Sequence, residues 1–172
     1  MDKFCSYCGV LHTAIEYPKI CTACGQTTWK NPTPVAVIVQ PVIDIAKDRR
    51  GVLIGQRGIE PRKGEWGLIG GVIDCPDKDV IEAARREYKE ETGFDAVSRD
   101  DIRLVSSYSD GKWLLIFVQS QTYIGIETLD AFVPNHETMA LRVAWEPEEL
   151  CFVSHTQALA AWFAARPKTS EV

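Results

Sequence analysis

Three glutamates, Glu87, Glu90 and Glu91, crowd the end of one helical segment, in the stretch RREYKEETGF at 85–94. This feature limits what the chain can fold into more than any other. The apolar spacing predicts a helix over 78–92, closed by Gly93 just past its end. At about 100° per residue the three acids fall within an arc of about 100°. They continue a stripe that carries Val80, Ala83 and Ala84, while Lys78, Glu82, Arg85 and Lys89 take the opposite, solvated side. Inward acids beside like charges, at the negative end of the helix dipole, repel one another. A cation among them removes the conflict, and oxygen ligands of this hardness suit Mg2+ or Mn2+. The competing reading is a charged outer face of a soluble helix, which fits the composition but not the geometry. Arg86, one turn before Glu90, is placed to fix the cluster. Upstream, Gly70 and Gly71 let the backbone approach, so the Gly70 carbonyl is a candidate for completing the coordination shell.

A second feature governs residues 1–30. Cys5 and Cys8, and Cys21 and Cys24, form two Cys-x2-Cys pairs, each followed by a glycine, Gly9 and Gly25. Two such knuckles supply the four-sulfur set that zinc favours. So short a segment buries too little surface to fold alone, and the metal substitutes for a core. The alternatives are disulfides or idle thiols. With four ligands the site is closed, which makes its role structural, or a docking surface, rather than catalytic.

The rest of the chain is organised around apolar runs. Hydrophobic residues make up 45% of the 172, enough for a compact domain plus a small appendage. The piece WKNPTPV reads as a linker, placed at 31–34, since Pro32 and Pro34 block regular structure. VAVIVQPVI and GVLIGQR read as strands joined by the polar loop AKDRR, and GEWGLIGG reads as a glycine-rich loop. DIRLVSSY, KWLLIFVQSQTY and TMALRVAW are further strand candidates. A last helix is expected from an N-cap at Ser154 to Pro167, with a flexible tail at 167–172. Strands interleaved with two helices suggest a mixed α/β or α+β sandwich. The longest apolar runs are strand-sized and the start, MDKFCSYCG, has no apolar signal core, so no membrane association and a cytoplasmic location are expected. The net charge of −5 weighs against a nucleic-acid partner.

Together these residues resemble the Nudix hydrolase signature: a glycine, an acid, then Arg-Glu-apolar-x-Glu-Glu-x-Gly-apolar. The chain supplies Gly71, Asp77, then Arg86-Glu87-Tyr88-x-Glu90-Glu91-x-Gly93-Phe94. It departs from the family in three ways. Asp77 stands in place of the usual Glu, Arg86 comes one residue late, and the usual LPGG is LIGG. A four-cysteine ribbon ahead of such a domain is similar to the NADH pyrophosphatase branch. That branch carries Ser-Gln-Pro-Trp where this chain has VSSYSDGKW, keeping Ser106 and Ser107 without the Gln-Pro-Trp.

The resemblance implies an α+β fold, a Nudix-type α/β/α sandwich with a mixed β-sheet at 35–166, preceded by the zinc ribbon. It implies Mg2+ or Mn2+ held by Glu87, Glu90, Glu91 and the Gly70 carbonyl. The reaction implied is cleavage of the pyrophosphate bond in a nucleoside diphosphate linked to another group: NADH, NAD, ADP-ribose or a similar dinucleotide or nucleotide sugar. The general base is Glu87 or a later glutamate. Glu137 is the candidate there, with an ordinary loop acid as its competitor, and Ala140 occupies a position where many relatives carry glutamate. Arg57 is a phosphate contact or a surface arginine. Trp66 stacks on a base or packs beneath the loop. Tyr108 borders a base pocket or is a plain strand aromatic. His12, His136 and His155 receive no role. Relatives of this branch are often dimers, which makes a homodimer an expectation by analogy. Two other functions stay open: a non-catalytic nucleotide-sensing regulator that binds protein or nucleic acid through the ribbon, and RNA 5′-end decapping.

Overall fold

The computed structural model describes residues 3–95 and 97–165, and the chain divides into two compact units, Met1–Thr33 and Pro34–Val172. The expected tail at 167–172 lies outside the described residues. In the first unit, strands β1 (Lys19–Ile20) and β2 (Thr27–Thr28) pair antiparallel. Each cysteine knuckle closes when its glycine N–H donates to the first cysteine's carbonyl, Gly9 to Cys5 and Gly25 to Cys21, both at 2.9 Å. The four sulfurs lie within 4.8 Å of one another, with Cys5 to Cys24 at 3.7 Å and Cys8 to Cys21 at 3.6 Å. A tetrahedron of bonds of about 2.3 Å has edges of about 3.8 Å, so the donor set fits zinc. These separations are far beyond a disulfide bond of about 2.0 Å.

The second unit holds two sheets. One runs β7–β3–β9–β8, with β3 (Thr33–Val39), β7 (Ile69–Val72), β8 (Ile102–Ser109) and β9 (Trp113–Ser120). The other runs β10–β4–β5–β11, with β4 (Pro41–Asp44), β5 (Arg49–Arg57), β10 (Ile124–Gly125) and β11 (Thr138–Ala144); β6 (Trp66–Gly67) pairs with β5. β10 pairs parallel with β4, whereas β11 and β4 pair antiparallel with β5. The apolar run VAVIV is buried on both faces. Ala36 and Ile38 join a cluster with Ala83, Ala84 and Tyr88 of helix α1 (Val80–Thr92). Val37 and Val39 join a second cluster with Leu159 and Trp162 of helix α2 (Val153–Ala164). Period-2 alternation therefore feeds opposite layers, which gives the α+β sandwich.

The sequence expectations differ from the structure at several joints, each for a local reason. VAVIVQPVI is two strands rather than one. The break falls at Gln40, because Pro41 has no N–H to continue the ladder. The Gln40 amide, fully buried, donates to the Pro41 carbonyl at 2.9 Å and the Thr122 carbonyl at 2.8 Å, and so fixes the corner. The AKDRR loop shrinks to a 3-10 turn at Ile45–Lys47, since Asp44 caps Lys47 N–H at 3.2 Å and Arg49 already pairs with Asp44 in the sheet. Thr33 and Pro34, read as linker, begin β3; the Pro34 carbonyl accepts from Ile73 N–H at 3.1 Å. GEWGLIGG contains β6 and β7, whose glycines carry no strand signal but allow close pairing (Gly55 with Gly67, Val37 with Gly70). Ser154 is not the N-cap of α2. Phe152 holds that position, with no side-chain cap.

Helix α1 starts at Val80 rather than 78. The Asp79 carboxylate caps Ile81 and Glu82 N–H, both at 3.0 Å, and pairs with Arg99. Asp79→Ala is expected to cost about 1–2 kcal/mol of stability, read as a lower denaturation midpoint with an unchanged slope. An unchanged midpoint overturns that account. At the other end, Gly93 in a left-handed conformation donates its N–H to the Lys89 carbonyl at 2.8 Å.

Candidate active site

Helix α1 packs its carboxylate-bearing side against β7, and a cavity of about 570 Å³ opens there. Glu87, Glu91 and Glu137 line it, together with Gly70 and Gly71. A Cβ on Gly71 would meet the Glu87 carboxylate at 2.5 Å, so only glycine lets that acid sit on the strand. Gly70 has φ 152°, and a Cβ there would collide with the Ala36 carbonyl. Its N–H donates to Glu91 Oε1 at 2.8 Å, and the Thr138 hydroxyl donates to Glu91 Oε2 at 2.8 Å.

Burial, reinforced by the nearby charges of Glu87 and Glu137, pushes the Glu91 carboxyl up to about 7 despite these two donors. Burial also raises Glu87, opposed by Arg86 and assisted by Glu90 and Glu137. Two acids that resist ionisation, Glu87 and Glu91, thus share one cavity wall with a third carboxylate, Glu137, and oxygen donors of this kind are the type a divalent cation takes.

The energetic consequence of Glu91 has a definite sign. A carboxyl whose folded pKa is raised holds its proton in the native state after the unfolded chain has lost it. Its contribution to stability is complete below about pH 4.5 and is lost as pH rises to about 7. Zinc-loaded protein dialysed free of Mg2+ and Mn2+ should therefore lose denaturation midpoint between pH 5 and 7.5. Added Mg2+ should remove the decline. A midpoint equally flat with and without Mg2+ contradicts the cation cradle.

Arg86 organises the cluster. It donates to Asp77 at 3.1 and 2.9 Å, to Glu87 at 2.7 Å, to Glu90 at 2.8 Å and to the Val72 carbonyl at 2.9 Å. Asp77 thus reaches Arg86 despite the extra residue between them, and the guanidinium beside it holds its carboxyl below the usual range. Glu90 departs from the expected inward position. Its side chain is 57% exposed and lies outside the cavity lining, held by Arg86. The reason is Tyr88, whose fully buried ring draws the inward arc of α1 away from Glu90.

Glu137 is placed by a residue the sequence did not single out. Asn135 Oδ1 accepts from the N–H groups of Glu137 and Thr138, both at 2.9 Å. Its amide donates to the Glu91 carbonyl at 2.9 Å and the Glu90 carbonyl at 3.3 Å. One side chain thereby ties the Glu137 loop to the end of α1. The Asn-x-x-Thr turn pattern was the available signal. Asn135→Ala is expected to cost about 1–3 kcal/mol of stability, since it leaves the Glu137 and Thr138 N–H groups and the helix-end carbonyls without this partner, read as a lower denaturation midpoint. An unchanged midpoint contradicts that role.

Arg57 and Tyr108 line the cavity. Arg57 donates through Nε to the Pro61 carbonyl at 2.8 Å and lies 5.3 Å from the centre of the Phe152 ring. Trp66 is not brought to the cavity. It packs with the second core cluster, with the Arg142 guanidinium 4.5 Å over its ring, so packing rather than base contact accounts for it. Trp113, Phe152 and His155 line the cavity without having been foreseen. Nothing local marks them in the sequence; the folding of β9 and α2 against β3 brings them there.

A family model described as NUDIX domain matches residues 33–169. Over 107 residues the chain is 34% identical to the nucleoside triphosphatase NudI of Salmonella schwarzengrund, covering 55% of this chain and 69% of that protein. Over 66 residues it is 29% identical to the ADPR responsive transcriptional repressor NtrR of Acinetobacter baylyi, covering 38% of this chain and only 26% of the repressor. The crystal structure of a NUDIX hydrolase from Nitrosomonas europaea shares the fold at 21% identity and TM-score 0.66, over 95% of this chain and 92% of that one. The NUDIX domain of Shewanella oneidensis NrtR, in complex with ADP ribose, does so at 17% identity and TM-score 0.61, over 80% and 91%.

Proposed function

The chain belongs to the NUDIX family, and from that premise we propose that it is a divalent-metal-dependent pyrophosphohydrolase. Its substrate is a nucleoside diphosphate linked to another group, of the class of NADH, NAD, ADP-ribose or a related dinucleotide or nucleotide sugar. One observation carries this reading: Glu87, Glu91 and Glu137 meet the Gly70–Gly71 backbone in a cavity that also contains Arg57 and three aromatic side chains, Tyr108, Trp113 and Phe152. The nucleoside triphosphatase NudI and the ADP-ribose complex of the NrtR domain support nucleotide chemistry of this kind.

Mg2+ or Mn2+, when bound, neutralises the diphosphate and acidifies a water for attack on phosphorus. Glu87, Glu91 and the Gly70 carbonyl would hold the ion, with Glu90 able to contribute from its exposed position. Arg86 holds Glu87 and Glu90 in register. Glu137, half-buried on the opposite loop, accepts the water's proton, with Glu87 as the alternative base. Arg57 steadies a phosphate. Tyr108 and Trp113 flank the nucleoside. In this assignment residues 1–30 form the zinc ribbon, 31–34 the connection and 35–166 the hydrolase domain. No helix among the described residues is long and apolar enough to cross a membrane.

The test is a panel of nucleoside diphosphate compounds and nucleoside triphosphates with Mg2+ and Mn2+, with products identified by mass. A nucleoside monophosphate released from a diphosphate-linked substrate is expected. The similarity to an ADPR responsive repressor favours a second reading, a sensor that binds such a ligand without cleaving it. Saturable binding of ADP-ribose with no product from any compound selects that reading.

A further inference from the structure

Helix α2 begins at the same cavity, and its first turn has no partner. Val153, Ser154 and His155 line the cavity, and Phe152, at the N-cap, supplies no side-chain bond. Among the described residues the N–H groups of these three have no acceptor. An uncapped helix start concentrates about half a positive charge on such N–H groups.

Two buried side chains on that turn each keep one polar group without a hydrogen-bond partner among the described residues. Ser154 is 8% exposed, and among the described residues its hydroxyl makes no hydrogen bond. His155 is 5% exposed. Its Nδ1 accepts from Leu68 N–H at 3.1 Å, so the ring proton is assigned to Nε2. Among the described residues Nε2 has no acceptor. Burial, and then the charge of Arg57, pulls the ring down to about 3, so it stays a neutral donor across the working pH range.

Arg57 supplies full positive charge at the same place. Its guanidinium lies over the ring of Phe152, the residue that starts α2, and among the described residues it has no carboxylate partner. Backbone donors, a hydroxyl and an imidazole N–H that lack acceptors, beside a guanidinium that spends only its Nε on the Pro61 carbonyl, describe a receptor for a tetrahedral oxyanion.

The receptor's distance from the carboxylates is bounded by a short piece of chain between β6 and β7. Leu68 N–H holds His155, and Gly70 N–H, two residues on, holds Glu91. Two residues of chain span at most about 7 Å, so the two anchors lie within that distance. We propose that the start of α2, with Ser154, His155 and Arg57, forms an oxyanion subsite for the phosphoryl group of the substrate that lies away from the bond being cleaved. The inference rests on the hydrolase reading only for which phosphoryl is bound. The carboxylates of Glu60, Asp110, Glu87, Glu91 and Glu137 line the same cavity and repel a free anion. The donors of α2 therefore need to be gathered at one point.

The test uses zinc-loaded full chain without Mg2+ or Mn2+, titrated with inorganic phosphate in a calorimeter and followed in parallel by thermal melting. Saturable binding and a rise in Tm are expected for the unaltered protein. Ser154→Asp should weaken phosphate binding at least about tenfold, because it removes a donor and adds a repelling charge. It should leave Tm without phosphate equal or higher, since an acid suits the first turn of a helix. A merely structural Ser154 gives the opposite: a lowered Tm with phosphate binding intact. That outcome, or an unaltered protein that binds no phosphate, overturns the proposal. Ser154→Ala, which adds no charge, should weaken binding less than the Asp variant. Failure of the substrate panel with phosphate binding intact overturns only the hydrolase reading. Turnover without phosphate binding overturns only the subsite.

Discussion

Glu91→Gln is expected to lower kcat by about three orders of magnitude while raising the Tm of protein free of Mg2+ and Mn2+. The two effects have one origin. Glu91 is buried and both its oxygens are held, Oε1 by Gly70 N–H and Oε2 by the Thr138 hydroxyl. A glutamine retains an oxygen for Gly70 and can donate to Thr138 through its amide. The geometry survives, and the charge does not. Removing a carboxylate that burial has pushed up to about 7 relieves repulsion with Glu87 and Glu137, so the fold gains. The same loss deprives a divalent cation of a ligand. A variant that loses activity by unfolding shows both quantities falling together. Turnover within about tenfold of the unaltered enzyme removes Glu91 from the metal site.

Stripping zinc, or replacing Cys21 by Ser, is expected to unfold Met1–Thr33. The burial pattern gives the reason. Among the described residues of this unit Cys5, Cys21, Lys19 and Thr28 are buried, whereas Phe4, Tyr7, Leu11, Ile15, Ile20 and Trp29 are exposed. Among the described residues no apolar cluster exists there to compensate the entropy of ordering the chain. Four-thiolate zinc binding contributes about 10–16 kcal/mol to such folds, more than any other interaction available in the unit. Limited proteolysis after chelation should cut within residues 3–33, and the near-ultraviolet dichroism of that segment should vanish. Resistance to cleavage in zinc-free protein contradicts the assignment. Both core clusters of the second unit are built from residues after 34 and do not depend on the ion.

The legible part of this protein was what depends on spacing within a single segment. Cysteine pairs two apart, an apolar stripe on α1 and the continuous run of β3 all obey a local period, and the structure follows them. Glu87 and Glu91 were legible as an inward pair because one helix carries both. What could not be read depends on which segments meet. Glu90 leaves the cavity because Tyr88 outcompetes it for the interior. Trp66 goes to the core because Arg142, far along the chain, covers it. Asn135 matters through carbonyls at the end of a helix more than forty residues away in sequence. Phe152 takes the N-cap of α2 from the better cap former Ser154, whose hydroxyl is left facing the cavity. In that last case the local rule fails at the site itself, where unsatisfied donors have a use.

The corner at Gln40 carries a consequence for how this chain tolerates change in length. Strands β3 and β4 belong to different sheets, yet a single residue separates them. Adding or deleting one residue there would rotate one strand by half a pleat, presenting its apolar side chains to the wrong layer. Lengthening the neighbouring turn at Ile45–Lys47 would leave both pleats in phase. Related chains should therefore vary in size at that turn and keep an invariant number of residues through the corner.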